Sequence, residues 1–102
     1  MSLWLLEHHP RGKNSQKTVT STIAKVVDRD VDRHMVYMYN AGTVTIEIFR
    51  TPTGVYGGGI PIAAGTDRTW TAWFGDDTES EFYAVVSSTS GDLRIEEAQE
   101  PD

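Results

Sequence analysis

The stretch TVTIEIF, Thr43 to Phe49, alternates without a fault: Val44, Ile46 and Ile48 fall on one phase, Thr45, Glu47 and Phe49 on the other. Successive side chains of a strand point to opposite faces, so this pattern predicts a strand with one face against a core. The pattern continues on both sides of it. Upstream, MVYMYN (35–40) predicts a strand ending at a turn around Asn40-Ala41-Gly42. Before that, DRDVDRH (28–34) reads as a charged connection, and QKTVTSTIAKVV (16–27), rich in Thr, Val and Ile, as a first strand. Downstream, RTWTAWF (68–74) predicts a strand and GDDTES (75–80) a loop. EFYAVVS (81–87) is apolar on both phases and predicts a central strand. LRIEE (93–97) closes the pattern with Leu93 and Ile95 inward. No stretch of ten residues carries a helical apolar period. Short strands between frequent turn signals give an all-β class: a small antiparallel β-sandwich or jelly-roll-like barrel. The expected organisation is an N-terminal arm over 1–16, a sandwich domain over 17–97 and an acidic tail over 98–102.

The composition sets limits on function. With 102 residues the chain is expected to form one domain. Its hydrophobic content of 38% is low, which implies a thin core or surface buried against partners. A net charge of −6 is the wrong sign for a nucleic-acid phosphate binder or an anionic membrane surface. No apolar run approaches a membrane span, and MSLWLLEHHP lacks the basic region and apolar length of a signal peptide. The absence of cysteine removes disulfides and cysteine-based zinc sites. Small chains without such staples often depend on oligomerisation.

Five of the nine glycines lie in GVYGGGIPIAAGTD, Gly54 to Asp67. A phosphate loop would need Lys and Ser/Thr after the glycines and then a helix, and a dinucleotide fingerprint would need a βαβ unit. Ile60-Pro61-Ile62 follows instead. The structural reading is that Gly57, Gly58, Gly59 and Gly65 permit positive φ or close backbone approach where the chain crosses between sheets. Pro61 would fix the backbone while Ile60 and Ile62 plug the sandwich.

Other chemistry is sparse. Asp28, Asp30 and Asp32 have the opening spacing of a calcium loop, but Arg33 and Tyr39 stand where its Gly and Glu belong. His8, His9 and His34 do not make a zinc set, and no G-x-S-x-G elbow is present. The carboxylate pairs Asp76-Asp77 and Glu96-Glu97 read as solvating charge. No catalytic residue, metal or cofactor is expected. The aromatic residues carry more information. With Val36 and Met38 inward, Tyr37 and Tyr39 face out; with Ile46 and Ile48 inward, so does Phe49; with Trp70, Ala72 and Phe74 inward, so does Trp73. Together with the apolar patch Leu3-Trp4-Leu5-Leu6, these residues form the expected partner-docking set.

The strings NAGTVTIEI (40–48), GIPIAAGTD (59–67), FYAVVSS (82–88) and GDLRIEE (91–97) resemble those of small β-sandwich virion proteins of tailed phages, of the head-decoration or appendage type. The likeness spans about residues 34–97. Thr66-Asp67 departs from that pattern's glycine-glutamate-serine ending, and the N-terminal arm has no counterpart. The resemblance implies a non-enzymatic structural protein made in the host cytoplasm and located in the virion. Such a protein would be a capsid decoration or cement protein on the major capsid protein or other virion proteins, homo-oligomeric and possible as a trimer. A tail, neck or baseplate component is the nearest alternative. A carbohydrate- or ligand-binding β-sandwich with Trp73 and the tyrosines as a stacking platform is the alternative of a different class.

Overall fold

In the computed structural model, which describes residues 11–99, eight strands run β1 (Arg11–Val19), β2 (Ala24–Val27), β3 (Arg33–Asn40), β4 (Ile46–Phe49), β5 (Ile60–Ile62), β6 (Asp67–Thr71), β7 (Phe82–Val85) and β8 (Gly91–Gln99). They form two antiparallel four-stranded sheets. The front sheet has the order β1-β8-β3-β6 and the back sheet β2-β7-β4-β5. The ladders β1–β8, β2–β7, β3–β6 and β4–β5 are those of one long hairpin rolled into two layers, the jelly-roll wiring. The fold is a small β-sandwich, as the alternation predicts.

Alternation puts Val36 and Met38 of β3, Leu93 and Ile95 of β8 and Trp70 of β6 on the inner face of the front sheet. Ile46, Ile48, Ile62, Phe82 and Ala84 answer from the back sheet. Trp70 and Phe82 meet edge to face across the two layers, their ring centres 5.0 Å apart. Such pairing adds to the burial of large rings, which supplies the main favourable term in a core this thin.

Several boundaries differ from the sequence reading. Residues 11–16, assigned to the arm, are the first part of β1, which pairs with β8 over nine consecutive residues. The stretch 16–27 is two strands in different sheets, separated by a turn at Thr20–Ile23. Ala98 and Gln99, assigned to the tail, complete β8. RTWTAWF is only partly a strand. After Thr71 the chain makes one turn of 3-10 helix over Ala72–Phe74, stopped by left-handed Gly75, whose N–H donates to the Ala72 carbonyl. Phe74, expected inward, is therefore exposed.

The two crossings also change places. β3 and β4 lie in different sheets, so Asn40-Ala41-Gly42 is a passage between layers. β4 and β5 are direct neighbours, so the glycine segment does not cross between sheets; it is the loop of a hairpin within the back sheet. That loop folds over the outer face of β4. The Glu47 carboxylate accepts the backbone N–H groups of Gly57 and Gly59 at 2.7 and 3.0 Å. A Cβ on Gly59 would stand 2.8 Å from the Phe49 ring and 2.9 Å from the Ile48 carbonyl, so Gly59 serves close approach, whereas Gly57 at φ 106° serves the turn. Ile62 is buried as expected, but Ile60, at the start of an edge strand, is not.

Candidate functional site

The sandwich has two unlike ends. At one end the chain enters β1 and leaves β8, and the connections 28–32, 50–59 and 72–81 emerge there. The exposed large apolar residues Val31, Val55, Tyr56, Trp73 and Phe74 all lie on these connections, and Ile60 follows directly. Trp73 and Phe74 are each 86% exposed at the tip of the 3-10 turn. A monomer gains nothing from leaving two adjacent large rings in water, so this tip is the primary candidate interaction site. The same connections carry Asp28, Asp30, Asp32, Asp76, Asp77, Glu79 and Glu81 against Arg29 and Arg50. This is the aromatic end, and it is acidic.

The opposite end is built from Thr20–Ile23, Ala41–Thr45, Ala63–Thr66 and Val86–Ser90. These connections contain no ionisable side chain and are dominated by Ser, Thr, Ala and Gly. This is the hydroxyl end.

Each end is held by a buried polar side chain at one terminus of β3. At the aromatic end the Arg33 guanidinium, 2% exposed, pairs with the Glu97 carboxylate at 2.8 Å. It also donates to the carbonyls of Thr78, Asp28, Ser80 and Glu79 at 2.7, 2.9, 3.1 and 3.4 Å. The Thr78 hydroxyl returns a bond to the Arg33 carbonyl at 2.8 Å. Arg50 adds a second tie: it lies 3.9 Å over the Phe82 ring and donates to the Asp77 and Glu81 carbonyls. The loop that presents Trp73 and Phe74 thus leads into a segment fixed by two guanidinium groups. At the hydroxyl end, buried Asn40 donates through its amide to the carbonyls of Val44 and Ile62 at 2.7 and 2.8 Å, and its side-chain oxygen accepts the Gly42 N–H at 3.0 Å.

The acidic groups at the aromatic end are engaged locally. The Asp30 carboxyl is held below its ordinary range by the Asp32 N–H, and by the Gln99 side chain after it. Asp77 is held down by hydrogen bonds from Ser80 and then the Glu79 N–H. Asp28 is lowered by Lys25, 3.0 Å away. No group of three His, Cys, Asp or Glu among the described residues is arranged to hold a metal ion.

The expected docking residues are therefore scattered. Tyr37 and Tyr39 lie half-buried on the outer face of the front sheet. Phe49 faces outward on the back sheet, half-buried, with Gly54 and Gly59 of the glycine loop packed against its ring. Trp73 sits at the tip of the aromatic end instead of beside the tyrosines, so the two do not form one platform. Leu3, Trp4, Leu5 and Leu6 lie outside the described residues, as do His8 and His9. Val31, Val55 and Tyr56 escaped the sequence reading because they sit in connections, where alternation assigns no face; alternation assigns Phe74 inward because the 3-10 turn that ends the strand leaves no mark in the pattern.

No family model and no curated protein matches the chain. Among solved structures it is similar in fold to one from work on Bacillus endospore appendages, described as a family of disulfide-linked pili. The TM-score is 0.55 with 13% identity, covering 93% of this chain and 89% of the other. At that identity the likeness is one of fold.

Proposed function

We propose that this protein is a non-enzymatic structural subunit that packs through its aromatic end into a repeating surface assembly. The observation that carries the reading is the gathering of exposed apolar side chains, led by Trp73 and Phe74, at one end of an otherwise polar sandwich. A lasting contact between subunits buries on the order of 1,000 Å² or more. Two adjacent exposed rings supply the apolar centre of such a patch, and the acidic connections at that end supply its polar rim. The edge strand β1 supports the same reading: nine residues long, paired on one side only, and without bulge or proline. The other edges are blunted: β5 has three residues with Pro61 at its middle, β2 has four with a register shift, and β6 has five.

Two settings fit. The resemblance of residues 34–97 to tailed-phage proteins favours a virion, with the protein as a capsid decoration or a tail component. The fold likeness to an appendage structure favours a filament. This sequence contains no cysteine, so its contacts in either setting would not be disulfide links, unlike those of the disulfide-linked pili. Sedimentation velocity and negative-stain microscopy of the purified full chain test the reading. The wild-type protein should populate species larger than a monomer, and W73S/F74S should shift it toward monomer while matching the wild-type melting temperature at concentrations where both are monomeric. A wild-type protein that stays monomeric at every concentration overturns self-assembly.

A further inference from the structure

A second surface, away from the aromatic end, has the chemistry of a small-molecule site. Antiparallel partners share a face, so the register across the front sheet sets two outward rows side by side. Asn14, Glu96, Tyr37 and Thr69 make one; Gln16, Arg94, Tyr39 and Asp67 make the other. Between them runs a groove of about 430 Å³ lined by Asn14, Gln16, Tyr37, Arg94 and Glu96, with Ser15 and Ile95 between them. A shallower depression of about 280 Å³ continues past Tyr37 and Glu96 toward Met35 and Thr69.

The polar groups of the groove are positioned before any ligand arrives. The Asp92 carboxylate accepts from Arg94 Nε at 2.8 Å and from Arg94 Nη2 at 2.9 Å, and from the Gln16 amide at 3.0 Å. Those bonds use one of the two amide hydrogens of Gln16 and two of the five N–H groups of Arg94. Gln16 Oε1 is left as an acceptor, and the second Gln16 amide hydrogen and the remaining Arg94 N–H groups as donors, on fixed side chains. Arg94, with Gln16 after it, holds the Asp92 carboxyl down at about 2, so this clamp stays charged in any ordinary buffer. The Tyr37 hydroxyl donates to Asp67 at 3.1 Å, which lays the ring over toward β6 and fixes it. Glu96 is exposed and makes no hydrogen bond or ion pair among the described residues.

We propose that this groove binds a neutral saccharide, with Tyr37 as the ring against which a sugar's C–H face packs. Glu96, Asn14, Gln16 and Arg94 are its hydroxyl partners. A sugar hydroxyl both donates and accepts, and the groove offers both functions at fixed positions beside an aromatic surface. An anion is disfavoured: the one guanidinium is already neutralised by Asp92, and the unpaired charge in the groove is the Glu96 carboxylate. The volume fits one or two pyranose units, and the groove is open along the sheet, which suits a unit within a longer chain. This inference is independent of assembly through the aromatic end.

The test is titration of the isotopically labelled full chain with cellohexaose, chitohexaose and maltohexaose, followed by amide chemical shifts. A heparin-derived hexasaccharide and trilysine serve as charged comparators. The expected result is saturable shifts confined to residues around Asn14, Gln16, Tyr37 and Glu96 with at least one neutral hexasaccharide. Glu96→Ala, at an exposed position, should weaken that binding about tenfold. Tyr37→Ala should abolish it, whereas Tyr37→Phe, which keeps the ring, should retain it. None of these changes should alter the sedimentation profile. No shift with any of the three neutral chains overturns the proposal. So does binding only to the heparin fragment or only to trilysine, shifts centred on Trp73, or groove shifts indifferent to Glu96→Ala and Tyr37→Ala.

Discussion

The two ends of this sandwich solve the same problem with opposite chemistry. Both must close a two-layer core where strands stop and backbone groups lose their ladder partners. The hydroxyl end does so with short connections of small residues and one neutral amide, Asn40, which satisfies two carbonyls and an N–H. The aromatic end has longer connections and uses a buried ion pair, Arg33–Glu97, with four further carbonyls around the guanidinium. Glu97 with those carbonyls accepts from all three guanidinium nitrogens, so the charge is both paired and hydrogen-bonded, the condition under which burying it is tolerable. The difference shows what each end is free to do. A guanidinium can gather several loops around one point, and loops gathered that way can hold out a Trp-Phe tip without unravelling.

Four measurements would break or sharpen this contrast. The largest effect is expected from Arg33→Ala, which leaves Glu97 buried without its partner and strips the Thr78–Ser80 segment of its donors. A loss of about 3–5 kcal/mol in urea unfolding is expected. Replacing both members of the pair, R33M/E97M, should recover part of it, because no lone charge is then buried. A loss below about 1 kcal/mol for Arg33→Ala would mean that the aromatic end is held by something else.

Asn40→Ala comes next. It removes three hydrogen bonds at the hydroxyl end but leaves no charge behind. The expected loss is about 2 kcal/mol, smaller than that of Arg33→Ala in the same unfolding assay. The reverse order would contradict the assignment of the heavier staple to the aromatic end.

Acid should act unevenly. Asp28, Asp30 and Asp77 have folded-state carboxyls below the ordinary value of 3.8. A depressed carboxyl binds its proton more readily in the unfolded chain, so its contribution is complete above about pH 4 and fades as pH falls through the lower folded value. Amide protection, corrected for the intrinsic exchange rate, should therefore fall below pH 4 in residues 28–32 and 76–80 before it does in 41–45 or 86–90, connections without a titratable group. Simultaneous loosening of both ends would show that these carboxylates do not hold the loops.

The smallest effect on the folded chain is expected at the exposed tip. W73S/F74S should change unfolding free energy by no more than about 0.5 kcal/mol, as surface positions do. A larger loss, read by thermal unfolding of the isolated monomer, would place the rings inside the protein's own packing.

The alternation of Val44, Ile46 and Ile48 and of Val36 and Met38 made the class and much of the core legible in the sequence, because period two survives wherever a strand is regular. It failed where the backbone leaves that period. Strict alternation puts Arg33 on the face opposite Val36; the register shift between Arg33 and Met35 turns it inward, so a charged residue in a charged run gave no sign that it points to the core. Glu97 is different: it continues the inward phase of Leu93 and Ile95, and that phase was available to read. The 3-10 turn after Thr71 ended the phase in RTWTAWF, with Asp76 accepting the Thr71 N–H to close it. Strand order is not a property of any single segment, which is why the glycine loop was placed between sheets instead of within one. The aromatic end was illegible for the same reason: it is assembled from connections far apart in sequence.

The unbroken β1–β8 ladder has a practical consequence for anyone attaching something to this protein. Because Arg11 faces Gln99, the outer ends of β1 and β8 lie at the same end of the sandwich as the Trp73–Phe74 tip, and bulk joined there crowds that end. The connection Ser87–Ser90 lies at the other end, exposed, with Thr89 already turned to φ 58°. A foreign peptide spliced into that turn would point away from the Trp73–Phe74 tip and leave those rings uncovered.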